Sequence, residues 1–148
     1  MNTITVARGI IYINDKLLVV QNKRLAANQW CLPGGKIDSN ETPVEAMQRE
    51  LIEETGIKGK IGKLAYVHQL FMNRGGDAAQ RLEFFFIIDN PEDFLAADIA
   101  KTTHGLLEMN DMAFKRIDEV ELLPSFLTEE LKAGLVIGGD VKFVKNYC

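Results

Sequence analysis

The sequence predicts an α/β domain, a helix framed by two sets of strands with a second helix near the C-terminal end. Three observations lead there. Thr3 to Ile13 and Lys16 to Gln21 are β-branched, apolar runs split by Asn14-Asp15, a two-residue turn signal that reads as a β-hairpin. Lys60 to Met72 and Gln80 to Asp89 are apolar, partly alternating segments around the loop Asn73 to Asp77, giving a second hairpin. Between the hairpins, Thr42-Pro43-Val44-Glu45 is a strong helix start. Thr42 can cap, Pro43 suits the first helical position, Glu45 can complete a capping box, and Gly56 is the stop. These elements suit an α/β/α sandwich around a central mixed β-sheet.

The remaining segments fit this frame. Asn22 to Gln29 is polar and reads as a loop, Trp30 to Leu32 as a short strand ending at Pro33, and Gly34-Gly35 as a tight turn. Phe84, Phe85 and Phe86 are consecutive, so at least one faces away from the main core and is expected to pack on a covering helix. Asn90 to Asn110 is the least regular stretch and the natural home of variable ligand contacts. Met112 to Ile117 reads as a strand, Asp118-Glu119-Val120 as a turn toward Leu122-Leu123-Pro124, and Thr128 as the cap of a final helix, Glu129 to Val136, stopped at Gly138-Gly139.

At 148 residues the chain is read as one domain, long enough for a sizeable core without disulfides or structural metal. Its composition is ordinary for a globular protein, with 47% apolar and 26% charged residues. A formal net charge of −4 and the lack of a basic block count against nucleic acid as a partner. Cys31 and Cys148 have no CxxC spacing, and Cys31 reads as a small buried packing residue. No apolar run approaches membrane-spanning length and no leader pattern opens the chain, so a cytoplasmic protein without a membrane partner is expected.

The helix from Thr42 to Gly56 is badly charged for an element with no further task. Glu50, Glu53 and Glu54 share one arc, while Val44, Met47, Leu51 and Thr55 cluster on the neighbouring face. Glu50 and Glu54 are like charges four apart, costing a few tenths of a kcal/mol. Glu53 and Glu54 also lie at the negative end of the helix dipole, with Arg49 the local offset. A solvated acidic face is the plain reading; a divalent cation held by hard carboxylate oxygens, Mg2+ or Mn2+, is the sharper one.

From Gly35 the residues run Gly, five others, Glu41, seven others, Arg49-Glu50-Leu51, one other, Glu53-Glu54, Thr55, Gly56-Ile57. This resembles the Nudix box without a departure, and Trp30-Cys31-Leu32-Pro33-Gly34 is similar to the lead-in usual in that family. The resemblance implies a Nudix-type α/β/α sandwich. It also implies hydrolysis of the diphosphate linkage in a nucleoside diphosphate joined to another moiety, X. By position in the motif, Glu50, Glu53 and Glu54 look like metal ligands, supported by Glu41 and by a Gly35 carbonyl. Either Glu50 or Glu53 orients or deprotonates the attacking water, and spacing does not choose between them. Arg49 looks structural, orienting the glutamates.

Some relatives place a further acid before the late aromatic strand, where Glu108 and Asp111 are the candidates here, each reading first as a plain surface acid. Lys23 and Arg24 read as solvated charges, with contact to substrate phosphates the alternative. His68 and His104 read as polar surface or strand residues rather than base or ligand. Glu83 alternates onto the face of Phe85, where it faces the cleft or pairs with Arg81 or Arg74.

The compact length fits MutT-type enzymes cleaving (d)NTPs, the preferred expectation, and also nucleotide-sugar, ADP-ribose and dinucleoside polyphosphate hydrolases. Removal of an RNA cap and a nucleotide-sensing module on the same scaffold are the readings of other kinds. The expected partner is a small nucleotide diphosphate derivative. Many relatives form homodimers, although no dimer surface is legible in the sequence.

Overall fold

Asn14 and Asp15 take left-handed φ values of 52° and 62°, as a two-residue hairpin turn requires, and join β2 (Tyr12–Ile13) to β3 (Lys16–Asn22). The structure, a computed structural model, describes residues 2–97, 102, 109–132 and 139–147. The expected single strand from Thr3 to Ile13 divides at Ile11, and β1 (Asn2–Ile10) enters a different sheet. Ile10 and Ile11 are both fully buried but belong to separate apolar clusters. Adjacent residues of extended chain point to opposite sides, so the chain crosses between two cores at this pair.

The larger frame is a mixed sheet in the order β10 (Lys142–Tyr147), β6 (Ile61–Arg74), β7 (Asp77–Ile88), β1, β5 (Gly34–Lys36). The β10–β6 and β1–β7 pairs are parallel, whereas β6–β7 and β1–β5 are antiparallel. A second sheet is built on β3, which pairs with β2, β4 (Gln29–Cys31) and β8 (Met109–Lys115). In turn β4 runs parallel to β9 (Glu121–Leu123).

Helices cover this framework as the α/β reading expects. On one side, Ala46, Met47 and Leu51 of α1 (Pro43–Thr55) pack with Ala7, Ile11, Phe86, Ile88 and Phe94, and Phe84 leans on the same cluster. On the other, Leu127 and Leu131 of α2 (Phe126–Lys132) pack with Ile10, Leu17, Trp30 and Phe85. The three consecutive phenylalanines thus serve two cores, Phe84 and Phe86 facing α1 and Phe85 facing α2.

Three expectations need correction. The last helix starts at Phe126, with Thr128 inside its first turn; Leu127 and Leu131, four apart, bury the inner face, and the Phe126 ring meets Phe85 edge-on at 5.7 Å. Of the expected Glu129–Val136 span, residues 133–136 lie outside the described residues. Val44 is exposed, and Ala46 takes its place on the buried face of α1. Finally, β10 is a strand that the sequence reading lacks, because Lys142 to Tyr147 is mostly exposed and carries little apolar alternation. No helix among the described residues is long and apolar enough to cross a membrane.

Candidate metal and catalytic centre

The caps fix where α1 begins and ends, and therefore where its carboxylates point. The Thr42 hydroxyl accepts from the Glu45 N–H at 3.1 Å, and the Glu45 carboxylate accepts from the Thr42 N–H at 3.0 Å. Gly56 closes the helix in the left-handed region at φ 74°. No basic residue occupies the last turn, so Glu53 and Glu54 face the negative end of the dipole and draw their partners from Arg49, one turn back, and from the Gly34 N–H.

Arg49 gathers the acids from one turn of helix and the preceding loop. Its Nε and Nη2 donate to the two Glu41 oxygens at 2.6 and 2.9 Å, a bidentate pair. Its Nη1 donates to Glu50 at 3.0 Å and to Glu53 at 3.2 Å, while Nη2 also reaches the Lys36 carbonyl at 3.0 Å and lies 3.5 Å from Asp38. Hydrogen bonds from Arg49, joined by the Asp38 N–H, pull the Glu41 carboxyl down to about 2. The bonds to Glu41 in turn hold the guanidinium firmly protonated. Glu41 therefore stays ionised through the neutral and mildly acidic range, and the pair locks the loop to the helix.

The glycine pair is not the tight turn expected from the sequence. Gly34 to Lys36 is β5, antiparallel to β1, and Gly34 has φ 145°, where a side chain would collide with the Ala7 carbonyl. Its N–H donates to Glu54 at 2.7 Å. Gly35 lies against Glu50, and a Cβ built on it would be 2.5 Å from the Glu50 carboxylate oxygen. Glu54 is 5% exposed, so one of the three helix acids is tucked under the strand rather than solvated.

The structure brings Gly35, Glu41, Arg49, Glu50, Glu53 and Glu54 into one region. Glu108 and His104 lie outside the described residues, and Asp111 is exposed on β8. His68 meets the strand alternative, on β6, but is buried rather than at the surface, with Nδ1 3.3 Å from Glu83 and Nε2 2.8 Å from Asn146. Glu83 is buried too and accepts from Arg8 at 3.4 Å, a partner outside the expected pair, with the Arg81 charge also acting on it. Burial pushes the Glu83 carboxyl up, but the His68 hydrogen bond and the Arg8 and Arg81 charges bring it below its ordinary value. Cys31 is a buried packing residue, its thiol pushed up by burial.

Two site residues escaped the sequence reading. Asp38 carries no signal in a polar loop. Arg8 does carry one, a lone charge inside the apolar run Thr5-Val6-Ala7-Arg8-Gly9-Ile10-Ile11, the same kind of anomaly that marks Glu83.

The donor set suits a hard divalent cation, being made of carboxylate and carbonyl oxygens. Among the described residues, no three acidic, His or Cys side chains close into a ready-made cage. The observation in favour is that Glu50 and Glu53 already converge on one positive group, the Arg49 Nη1.

An α/β sandwich bearing a capped, acid-rich helix against a glycine strand defines a protein with a hard-oxygen centre at a helix–strand junction. A family model described as the NUDIX domain matches residues 3–130, and the chain belongs to the Nudix family. Over 64 residues it is 41% identical to an RNA pyrophosphohydrolase of Actinobacillus succinogenes, covering 43% of this chain and 32% of that protein. Over 50 residues it is 44% identical to diphosphoinositol polyphosphate phosphohydrolase 2 of Rattus norvegicus, covering 34% and 27%. These matches thus span about a third of the relatives' own length. Among solved structures, a MutT protein of Bacillus halodurans superposes with a TM-score of 0.68 at 20% identity, covering 97% of this chain and 89% of that one. An ADP-ribose pyrophosphatase of Streptococcus suis gives 0.63 at 18%, covering 95% and 98%. At such identities the structural likeness speaks for the fold.

Proposed function

We propose that this protein is a metal-dependent pyrophosphohydrolase that cleaves the diphosphate linkage of a nucleoside diphosphate joined to a further group, with (d)NTPs as the preferred substrates. The observation that carries the reading is the convergence of Glu50 and Glu53 on one cationic group, beside Glu54 pinned by the Gly34 N–H. A divalent cation held at these oxygens, Mg2+ or Mn2+, would supply neutralisation of charge on the phosphate oxygens and a lowered pKa for bound water.

The chain's own residues would divide the remaining work. Glu50, Glu53 and Glu54 hold the cation, with Glu41 and the Gly35 carbonyl in support. Glu50 or Glu53 takes the proton of the attacking water. Arg49 acts through the carboxylates, keeping Glu41, Glu50 and Glu53 turned to one side. The bidentate grip on Glu41 would keep Arg49 in place with a cation held at Glu50 and Glu53.

Two sequence relatives are named as an RNA pyrophosphohydrolase and a diphosphoinositol polyphosphate phosphohydrolase, which supports the reaction class over any single substrate. The RNA pyrophosphohydrolase likeness makes a triphosphorylated RNA end the second candidate, although a net charge of −4 disfavours an RNA-binding face. The test is a phosphate-release screen with Mg2+ over (d)NTPs, nucleotide sugars, ADP-ribose, dinucleoside polyphosphates and 5′-triphosphorylated RNA. The expected result is turnover of one or more (d)NTPs to monophosphate and pyrophosphate. Binding of nucleotides without turnover of any class would instead make the protein a sensing module.

A further inference from the structure

Across four adjacent strands of the larger sheet runs a chain of polar side chains that ends at the glycine strand. Asn146 of β10 meets His68 of β6 at 2.8 Å, His68 meets Glu83 of β7 at 3.3 Å, and Glu83 accepts from Arg8 Nε of β1 at 3.4 Å. At its far end, Arg8 Nη1 donates to two carbonyls, Leu32 at 3.2 Å and Gly34 at 3.1 Å. The carbonyl between them, on Pro33, accepts from the Gly9 N–H at 2.9 Å. Three successive carbonyls ahead of Gly35 are therefore held by two successive residues of β1. The Gly34 N–H in the same segment holds Glu54 at 2.7 Å.

Stability alone is a poor account of this array. Burying an Arg–Glu–His series costs desolvation, and apolar replacements of similar volume are often neutral or stabilising. His68 and Glu83 are 1% and 3% exposed, so neither reaches a ligand directly. What the array does fix is direction. Glu83 holds the Nε edge of the guanidinium, so Nη1 can bridge the Leu32 and Gly34 carbonyls and set the peptide planes flanking Glu54 and Gly35.

We propose that Arg8 is a positioning residue for the cation centre, oriented by Glu83, His68 and Asn146 and acting through the Leu32–Gly34 backbone on Glu54 and the Gly35 carbonyl. The inference rests on the cation reading given above. Arg8 keeps the acceptors aimed and does not itself hold cation or substrate. Groups that orient metal ligands from outside typically matter 10–100-fold in metal affinity. Lys at this position retains the charge but has one nitrogen in place of the planar fork that sets Nε on Glu83 and Nη1 on the two carbonyls.

The test compares the full-length chain with Arg8→Lys and Glu83→Gln. Mn2+ binding is followed by electron paramagnetic resonance in the absence of substrate, and the Mg2+ dependence of hydrolysis is measured alongside. Arg8→Lys should bind Mn2+ roughly 10-fold more weakly. At saturating Mg2+ its kcat should return toward that of the parent, with the substrate KM unchanged. Glu83→Gln should shift Mn2+ affinity in the same direction, and it decides the matter if Arg8→Lys does not fold. Folded variants with parental Mn2+ affinity, even with lowered melting temperatures, would show that the array serves only stability and would overturn the proposal. If the parent protein itself binds no Mn2+, the cation reading falls and this proposal with it, a result distinct from unaffected variants.

Discussion

Glu53→Gln is expected to lower turnover at least about a hundredfold, whether Glu53 serves as ligand or as base. The fold should survive almost unchanged. Glu53 is 26% exposed and bonds Arg49 at 3.2 Å across one turn, an arrangement worth about 0.3–0.5 kcal/mol. Gln keeps an oxygen that Arg49 can reach. The sequence alone suggests a fold left intact, or slightly stabilised without metal, because a like-charge contact is relieved. The Arg49 bond to Glu53 offsets part of that charge, so any gain is small. Melting curves should therefore differ by at most about 2 °C, while steady-state rates on the preferred substrate separate widely. Near-parental turnover would remove Glu53 from the reaction.

Gly35→Ala should damage activity while sparing stability. The backbone of Gly35 does not occupy the left-handed region, so Ala meets no conformational strain there. The added methyl would nevertheless stand 2.5 Å from the Glu50 carboxylate oxygen and 2.7 Å from its carbon. Those atoms end a flexible side chain, which can yield by swinging away from the glycine strand and from Arg49. A displacement of about 1 Å at a reacting group can cost on the order of a hundredfold in rate. The unfolded chain meanwhile loses some conformational freedom, which favours the folded state by about 0.4–1 kcal/mol. Parallel measurement of kcat and melting temperature checks both halves. A folded variant with undiminished kcat would mean that Glu50 need not occupy its present place.

Local signals were the most legible part of this chain. Thr42, Pro43, Glu45 and Gly56 announce α1 almost to the residue, because capping chemistry is written within a few positions. Spacing along that helix likewise identified Glu50, Glu53 and Glu54 as a group. What escaped depends on distant partners. Gly34-Gly35 reads as a turn until β1 is seen beside it, and the break at Ile11 is invisible until two cores exist to receive Ile10 and Ile11. Arg8, Glu83 and His68 are separated by up to 75 residues in sequence, so their common purpose appears only across the sheet. Glu54 shows the same limit at closer range. Helix geometry places it with the solvated acids, yet the strand from Gly34 covers it.

On the proposed function, these carboxylates work by holding a divalent cation. The most direct measurement follows hydrolysis of the best substrate from the screen as a function of free Mg2+, starting in excess EDTA. Turnover should be absent under chelation and rise to a plateau as Mg2+ is restored, with Mn2+ able to substitute. Turnover that continues at full rate in EDTA would contradict the account.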